Sequence, residues 1–355
     1  MQRVDRVRER LAVHKLDALI VSSSANVRYL FGFTGSNAIA LITSGLSFFI
    51  TDRRYVEQSH KEISGAEIII AKKELLAELE AVPAMKAGMR IGIEAASLTV
   101  KEFSLLKKNF PGMKFLASER IVEGVASVKE AEEIAAIRKA AKICGDVFNE
   151  IQPLLKPGVS ELDISAEISY RTRRHGSEKD PFEPIVASGE RSALPHGISS
   201  AKKMQTGESV VIDFGAVLKG YAADTTRTFI LGEPTEKQSN MAKAVLAALE
   251  KSAAAAKPGL IGWQLDAVAR KSLEHDGLGK YFMHSLGHGL GLNVHEIPRL
   301  GENSQDKLVA GNVMTLEPGV YIPGYGGVRI EDDFLVTETG VENLSPFQRE
   351  VLCVG

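Results

Sequence analysis

Cysteine is almost missing from this chain: Cys144 and Cys353 are the only two in 355 residues. Two are too few for a disulfide framework, so both are expected to be inert thiols in a reducing, cytoplasmic setting. Long apolar runs are missing as well. No uninterrupted stretch of about 18 apolar residues occurs, and the opening MQRVDRVRERLAVHKLDALIVSS has no continuous apolar segment behind its basic residues. This reading leaves no membrane span and no secretory leader. Nor does one sign of charge dominate. Lys and Arg number 43 against 45 Asp and Glu, a net −2 that offers no footprint for nucleic acid or an anionic membrane. What is present is a 44% hydrophobic fraction, ordinary for a soluble protein with a real core, over a length that fits two domains.

Short apolar runs and helical periodicity alternate up to about residue 125. Asp17–Ser22, Ala38–Ile42, Ser47–Thr51 and Glu67–Ile70 read as strands; Arg3–His14, Arg54–Ile63 and Thr99–Asn109 read as helices. That alternation predicts an α/β domain over 1–125. Ser127-Val-Lys-Glu130 matches a capping box and is expected to open a helix whose apolar face holds Ile134, Ile137, Ala141, Cys144 and Phe148. A second domain, 126–355, starts there. The alanine-rich run Ala242–Ala256 is expected as a helix of strong intrinsic propensity.

The second domain repeats itself. Pro157-Gly158 leads into a helix ending near Gly176, and Pro258-Gly259 into one ending near Gly277. Asp213-Phe-Gly215 matches Glu317-Pro-Gly319, and Gly220-Tyr221 matches Gly324-Tyr325, each pair 104 residues apart. Matches in one order at near-constant spacing imply two related halves, each a helix plus a hairpin. In the first half Val210–Phe229 reads as a hairpin turning at Leu218-Lys219, which would set Asp213 directly opposite Asp224 on one face. Facing carboxylates repel and need a cation. Glu317 and Glu331 flank a Gly-rich turn in the second half and are expected to sit similarly. With His288 they complete a set of four carboxylates and one imidazole, the donors hard divalent metals choose when two share a site. His288 lies in His284-Ser-Leu-Gly-His288-Gly-Leu-Gly-Leu-Asn-Val-His295-Glu296, where the glycines allow close backbone approach to a metal or substrate. His196, in Leu194-Pro195-His196-Gly197, reads by itself as a turn histidine.

Asp213…Asp224, His284-x-x-Gly-His288, Val-His295-Glu296, Glu317-Pro-Gly and Arg329-Ile-Glu331 together resemble the pita-bread metallopeptidases, the group of aminopeptidase P, prolidase, methionine aminopeptidase and creatinase. The likeness covers roughly 127–355. Asn26-Val-Arg-Tyr-Leu-Phe-Gly-Phe-Thr-Gly-Ser-Asn37 is similar to the creatinase/prolidase N-terminal domain and favours the proline-specific branch. So do Phe182–Gly189 and Ala193–Gly197. The resemblance implies an α+β fold overall, an α/β N-terminal domain followed by a duplicated pita-bread catalytic domain. It also implies two divalent ions, Mn²⁺ before Co²⁺ or Zn²⁺. Asp213 would chelate one ion, Asp224 and Glu331 would bridge both, and His288 with Glu317 would complete the other. By the same resemblance a water acidified between the ions is the nucleophile and Glu317 shuttles its proton. His196 and His295 would stabilise the tetrahedral intermediate, His284 would line the substrate pocket, and Arg329 would orient a carboxylate. Ser285 departs from the Gly common at that position.

The activity so implied is hydrolysis of Xaa-Pro bonds in dipeptides or short peptides, by a cytoplasmic homodimer in which one chain's N-terminal domain closes on the other's site. A dipeptidase is favoured over an aminopeptidase. A dipeptidase needs a cation for the substrate carboxylate, and Arg191 and Arg299 are the candidates by loop position. A non-catalytic peptide-binding relative and a creatinase-like amidinohydrolase are the more distant alternatives, and the intact set of five ligands speaks against both.

Overall fold

The computed structural model describes residues 3–345 and 347–354. The chain divides into two compact units, Met1–Ala126 and Ser127–Gly355.

The first unit is an α/β layer structure. Its six strands are β1 (Ala18–Val21), β2 (Ala38–Thr43), β3 (Ser47–Thr51), β4 (Glu67–Ile70), β5 (Arg90–Glu94) and β6 (Lys114–Ser118), in spatial order β4-β3-β2-β1-β5-β6. β2 runs antiparallel to both its neighbours; every other pairing is parallel. β1 and β3 are buried along their whole length, which is why they read as continuous apolar runs and not as alternations. Helices α1 (Arg3–Val13), α2 (Ser24–Phe31), α3 (Val56–Glu62), α4 (Val100–Asn109) and α5 (Ile121–Ala126) complete the unit. α1 buries Val4, Val7 and Leu11, a helical stripe. α4 starts where Thr99 and Glu102 exchange hydrogen bonds in a capping box.

In the second unit the first long helix, α6 (Ala131–Ile151), begins three residues later than the Ser127 box predicts. Glu133 accepts from the Glu130 amide at 2.7 Å and closes the first turn there. The backbone ahead of it is held elsewhere, since Lys129 N donates to Gly311 O and Asn312 Nδ2 to Ser127 O. Long-range partners thus take the groups a local cap would have used.

The expected duplication is visible in the elements. The first half holds α7 (Glu161–Arg174), β7 (Ile185–Ser188) and the hairpin β8 (Ser209–Leu218) and β9 (Tyr221–Leu231). The second holds α8 (Glu236–Ala255), α9 (Gly262–His275), β10 (Gly287–Gly289), β11 (Glu296–Leu300), β12 (Val313–Leu316), β13 (Gly319–Ile322), β14 (Gly326–Arg329) and β15 (Asp332–Val336). β16 (Val341–Asn343) pairs with β15, and β17 (Leu352–Val354) returns to β9. Displaced by 104 residues, β8 spans the same stretch as β12 and β13 together; Glu317-Pro318 divides in the second half what is one strand in the first. Proline offers no amide to a ladder, so the strand breaks at the position that presents Glu317. Even the isolated bridges repeat, Ser160 with Lys203 and Ile261 with Lys307.

The β8–β9 turn lies one residue further on than the sequence implies. Leu218 pairs with Tyr221, and Lys219 (φ 52°) with Gly220 (φ 85°) forms the two-residue turn. Both central φ angles are positive, as a type I′ hairpin turn requires and as a bulky Leu218 would resist. Asp213 therefore faces Thr226, and Asp224 faces Gly215. The pairing is displaced by two residues, which keeps the side-chain parity, so both aspartates still project to the same face. The opposite face carries Val210, Ile212, Phe214 and Ala216, packed on Ala140, Cys144, Val147 and Phe148 of α6. In the second half Leu265, Ala269 and Leu273 of α9, with Met241 and Val245 of α8, pack on Met314, Leu316, Val328 and Phe334. Each fully buried aliphatic side chain contributes about 1.5–3 kcal/mol. These helices close the outer face of each hairpin and leave the inner faces to polar residues.

Candidate metal centre

The inner face is a cleft of about 410 Å³ within the second unit, and Asp213, Asp224, His288, Glu317, Glu331, His196, His284, His295, Arg299 and Arg329 all line it. Asp213 comes from β8, Asp224 from β9 and His288 from β10; Glu317 and Glu331 come from the breaks flanking the β13–β14 pair. Asp224, His288 and Glu331 each offer a ligand atom within 4.8 Å of the others, and all three are buried. His288 Nε2 lies 3.8 Å from Asp224 Oδ2 and 3.5 Å from Glu317 Oε1.

Like charges have been gathered here without enough protein cations. Asp213 has one, Arg329 Nη2 at 2.5 Å. Asp213 Oδ1, Asp224 Oδ1 and Glu331 Oε1 are buried with no hydrogen-bond partner among the described residues. Leaving such atoms unpaired is costly, and a cation among them removes the cost. Burial first, and then the neighbouring carboxylates, push Asp224 and Glu331 well above the usual carboxylate range. Glu317 rises to about 8, driven by burial and by Asp213 against the opposing pull of Arg329. Oxygen-rich donors with one imidazole suit hard divalent ions, so the residues present fit such a group.

His288 has the ring orientation a ligand would need. Its Nδ1 faces Gly289 O at 3.1 Å, an acceptor, so Nδ1 carries the proton and Nε2 turns its lone pair towards Asp224 and Glu317. Burial, followed by His295 whose ring stands 4.4 Å away, lowers its pKa to about 3. The ring is neutral at any working pH.

Arg329 organises the rest. Two-residue spacing alone would set Arg329 and Glu331 on one strand face, but Arg329 ends β14 and Glu331 lies past it, between β14 and β15. Arg329 Nη2 holds Asp213, its Nε donates to Thr226 Oγ1 at 2.9 Å, and its Nη1 donates to Pro195 O at 3.0 Å and Tyr321 Oη at 2.8 Å. Thr226 Oγ1 in turn donates to Glu331 Oε2 at 2.7 Å. One guanidinium thereby ties Asp213, the Thr226 hydroxyl that bonds Glu331, and the backbone beside His196.

Tyr321 and Thr226 bond to the candidate site residues, and neither was expected from the sequence. A signal existed for both: Tyr321 shares the parity of Glu317 and Gly319, and Thr226 the parity of Asp224. Tyr321 is fully buried. Arg329 can only donate, so Tyr321 Oη accepts from it; His284 Nδ1 faces the Ser285 carbonyl, which can only accept, and this leaves His284 Nε2, 2.9 Å from Tyr321 Oη, to accept the Tyr321 proton. His284 Nδ1 then carries the ring proton and donates to Ser285 O at 2.8 Å. Both nitrogens are committed, and burial lowers the His284 pKa to about 4. His284 presents a neutral ring edge to the cleft. His295 and His196 are exposed at the cleft, and neither ring makes a hydrogen bond among the described residues. Of the two arginines considered for a substrate carboxylate, Arg191 is spent on Glu161 at 3.0 Å, whereas the exposed Arg299 side chain lines the cleft without an ion pair among the described residues.

Residues 135–338 match the model of metallopeptidase family M24, and residues 3–128 that of the creatinase/prolidase N-terminal domain. An Xaa-Pro dipeptidase of Pyrococcus horikoshii is 35% identical over 99% of both chains. Among solved structures, an Xaa-Pro dipeptidase from Bacillus anthracis is 37% identical with a TM-score of 0.95 over 99% of both chains. An X-Pro aminopeptidase from Thermotoga maritima is 35% identical with a TM-score of 0.89, covering 98% of this chain and 100% of the other. The duplicated catalytic unit, the preceding α/β domain and these likenesses agree: the chain belongs to metallopeptidase family M24 and carries a creatinase/prolidase N-terminal domain.

Proposed function

We propose that this protein hydrolyses the Xaa-Pro bond at the N-terminus of dipeptides or short peptides with two divalent metal ions, Mn²⁺ before Co²⁺ or Zn²⁺. The observation that carries the reading is that one buried carboxylate oxygen on each of Asp213, Asp224 and Glu331 has no hydrogen-bond partner among the described residues. Asp213, Asp224, His288, Glu317 and Glu331 would hold the pair. When bound, the ions supply an acidified water at neutral pH and polarise the scissile carbonyl. Glu317 takes and returns a proton, a task suited to a carboxylate whose pKa burial raises towards neutrality. His196 and His295, on exposed positions of the cleft, donate to the oxygen that gains charge. His284 walls the proline pocket, and Arg329 keeps Asp213 aimed inward. A proline amide has no N–H to recognise, so a neutral, shape-reading wall suits it.

Dipeptidase activity is favoured over aminopeptidase activity. Arg299 offers a carboxylate-reading cation, and relatives named Xaa-Pro dipeptidase match the full chain. A cytoplasmic homodimer belongs to the same reading. The experiment is turnover of Ala-Pro, Ala-Pro-Ala and Met-Ala-Ala by Mn²⁺-loaded protein, with an EDTA-stripped control. Cleavage of Ala-Pro alone is expected. Cleavage of Ala-Pro-Ala identifies an aminopeptidase; cleavage of Met-Ala-Ala alone overturns the proline assignment, and no cleavage of any revives a binding role.

A further inference from the structure

The loop that carries His196 is held at both ends by one carboxylate. Glu161, the first residue of α7, is fully buried. Its Oε1 accepts from Ser188 N at 2.8 Å and Ser188 Oγ at 2.9 Å; its Oε2 accepts from Ser200 N at 3.0 Å and Ser200 Oγ at 2.7 Å. Ser188 ends β7 on one side of His196, and Ser200 lies on the other. Arg191 Nε adds a contact to Oε2 at 3.0 Å, and its Nη2 donates to Ile198 O, two residues past His196. Arg329 reaches the middle of the loop at Pro195 O.

The second half uses the same device with other residues. Asp266 of α9, also buried, accepts from Leu286 N at 2.9 Å and pairs with Arg270 at 2.6 Å. Arg270 donates to Phe282 O at 3.1 Å and His284 O at 2.7 Å. Here the carboxylate holds the backbone after the cleft histidine directly and the backbone at and before it through its arginine. Glu161 and Asp266 do not align under the 101-residue spacing that relates the two helices, so the likeness is of function and not of matched residue.

Burying a carboxylate is costly even when it is fully bonded, and an apolar side chain of similar volume would serve stability as well. What the carboxylate adds is geometry, because its two oxygens fix two separate stretches of backbone at once. We propose that Glu161 is the positioning residue for His196. It sets the Ser188–Ser200 loop so that the imidazole meets the scissile carbonyl, and it affects turnover only through that histidine. This rests on the role given to His196 in the proposed function.

The test is a double-mutant cycle. Glu161→Gln keeps the shape but turns one acceptor into a donor facing Ser188 or Ser200. Ser200→Ala removes a single hydroxyl and is the milder probe should Glu161→Gln not fold. The expected loss in kcat for Ala-Pro is about tenfold or more for Glu161→Gln, the scale of one charged hydrogen bond. Mn²⁺ stoichiometry and KM stay as in the wild type. In metal-free protein the amides of 189–198 exchange with solvent at least about ten times faster than in wild type. The variant carrying both Glu161→Gln and His196→Ala is no slower than His196→Ala alone. Losses that multiply in the double variant, a fall in metal content alongside activity, or unchanged exchange each overturn the proposal; the same criteria apply to Ser200→Ala. Wild-type protein that cleaves no Xaa-Pro peptide overturns the underlying reading instead, and the exchange measurement, which needs neither substrate nor metal, keeps the two failures apart.

Discussion

Removing metal should make this protein less stable as the pH rises, the reverse of ordinary acid denaturation. Glu317 sits near 4.5 when unperturbed and at about 8 in the folded, metal-free chain. Between those values the folded protein keeps a proton that the unfolded chain has released. The folded state therefore binds more protons, and stability falls with rising pH through this window. A displacement of that size corresponds to roughly 5 kcal/mol for Glu317 alone. It is a ceiling, since the side chain keeps 19% of its surface exposed to water. Asp224 and Glu331 act in the same direction. For a unit of this size each kcal/mol moves Tm by about 2–4 °C, so a fall of about 5–15 °C between about pH 5 and about pH 8 is expected without metal. Metal binding displaces those protons, and so Mn²⁺ should raise Tm little at about pH 5 and strongly at about pH 8. Calorimetry with EDTA and with excess Mn²⁺ across this range decides the matter. A metal-free Tm that is flat or rises with pH, or a Mn²⁺ shift independent of pH, would refute the reasoning.

Asp224→Asn and Glu331→Gln should abolish turnover and lower metal content while raising the metal-free Tm at about pH 8, because each removes a buried acid that folding keeps from ionising freely; near-normal turnover with unchanged metal sinks the two-ion assignment. Tyr321→Phe deletes the proton given to His284 Nε2 and should cost about 1–3 kcal/mol of stability and about tenfold in kcat/KM with metal content intact, checked by denaturant titration and steady-state kinetics. His196→Ala should lower kcat without loss of metal, and metal loss instead would make His196 a ligand. Arg299→Ala should raise KM for Ala-Pro by about tenfold or more and affect Ala-Pro-amide little, since only the former offers a carboxylate; equal effects on both refute a carboxylate-reading role.

Much of this architecture was legible locally. The runs at Ser47–Thr51 and Glu67–Ile70 are strands as read, and Thr99 caps its helix as its spacing with Glu102 implies. The duplication also shows in the chain, because paired Pro-Gly and Gly-Tyr signals mark turns that the backbone alone dictates. Even with the β8–β9 turn misplaced by one residue, Asp213 and Asp224 keep one face, since the two-residue period of a strand survives any even slip in pairing. The cap at Ser127 was illegible for the opposite reason: Gly311 and Asn312, far along the chain, claim its neighbourhood.

What sequence could determine here is whatever follows from covalent geometry over a few residues: element type, turn positions to within a residue, side-chain parity and the list of candidate ligands. Only the tertiary structure decided which charges are satisfied and which are left over. Arg191 and Arg299 are equivalent as letters, yet one is spent on Glu161 and the other stands in the cleft. Tyr321 looks like an ordinary strand aromatic until Arg329 and His284 close on its hydroxyl. The partners of Arg329 lie up to 134 residues away. No local periodicity encodes such pairings, because electrostatic satisfaction is a property of the assembled interior and not of any segment that enters it.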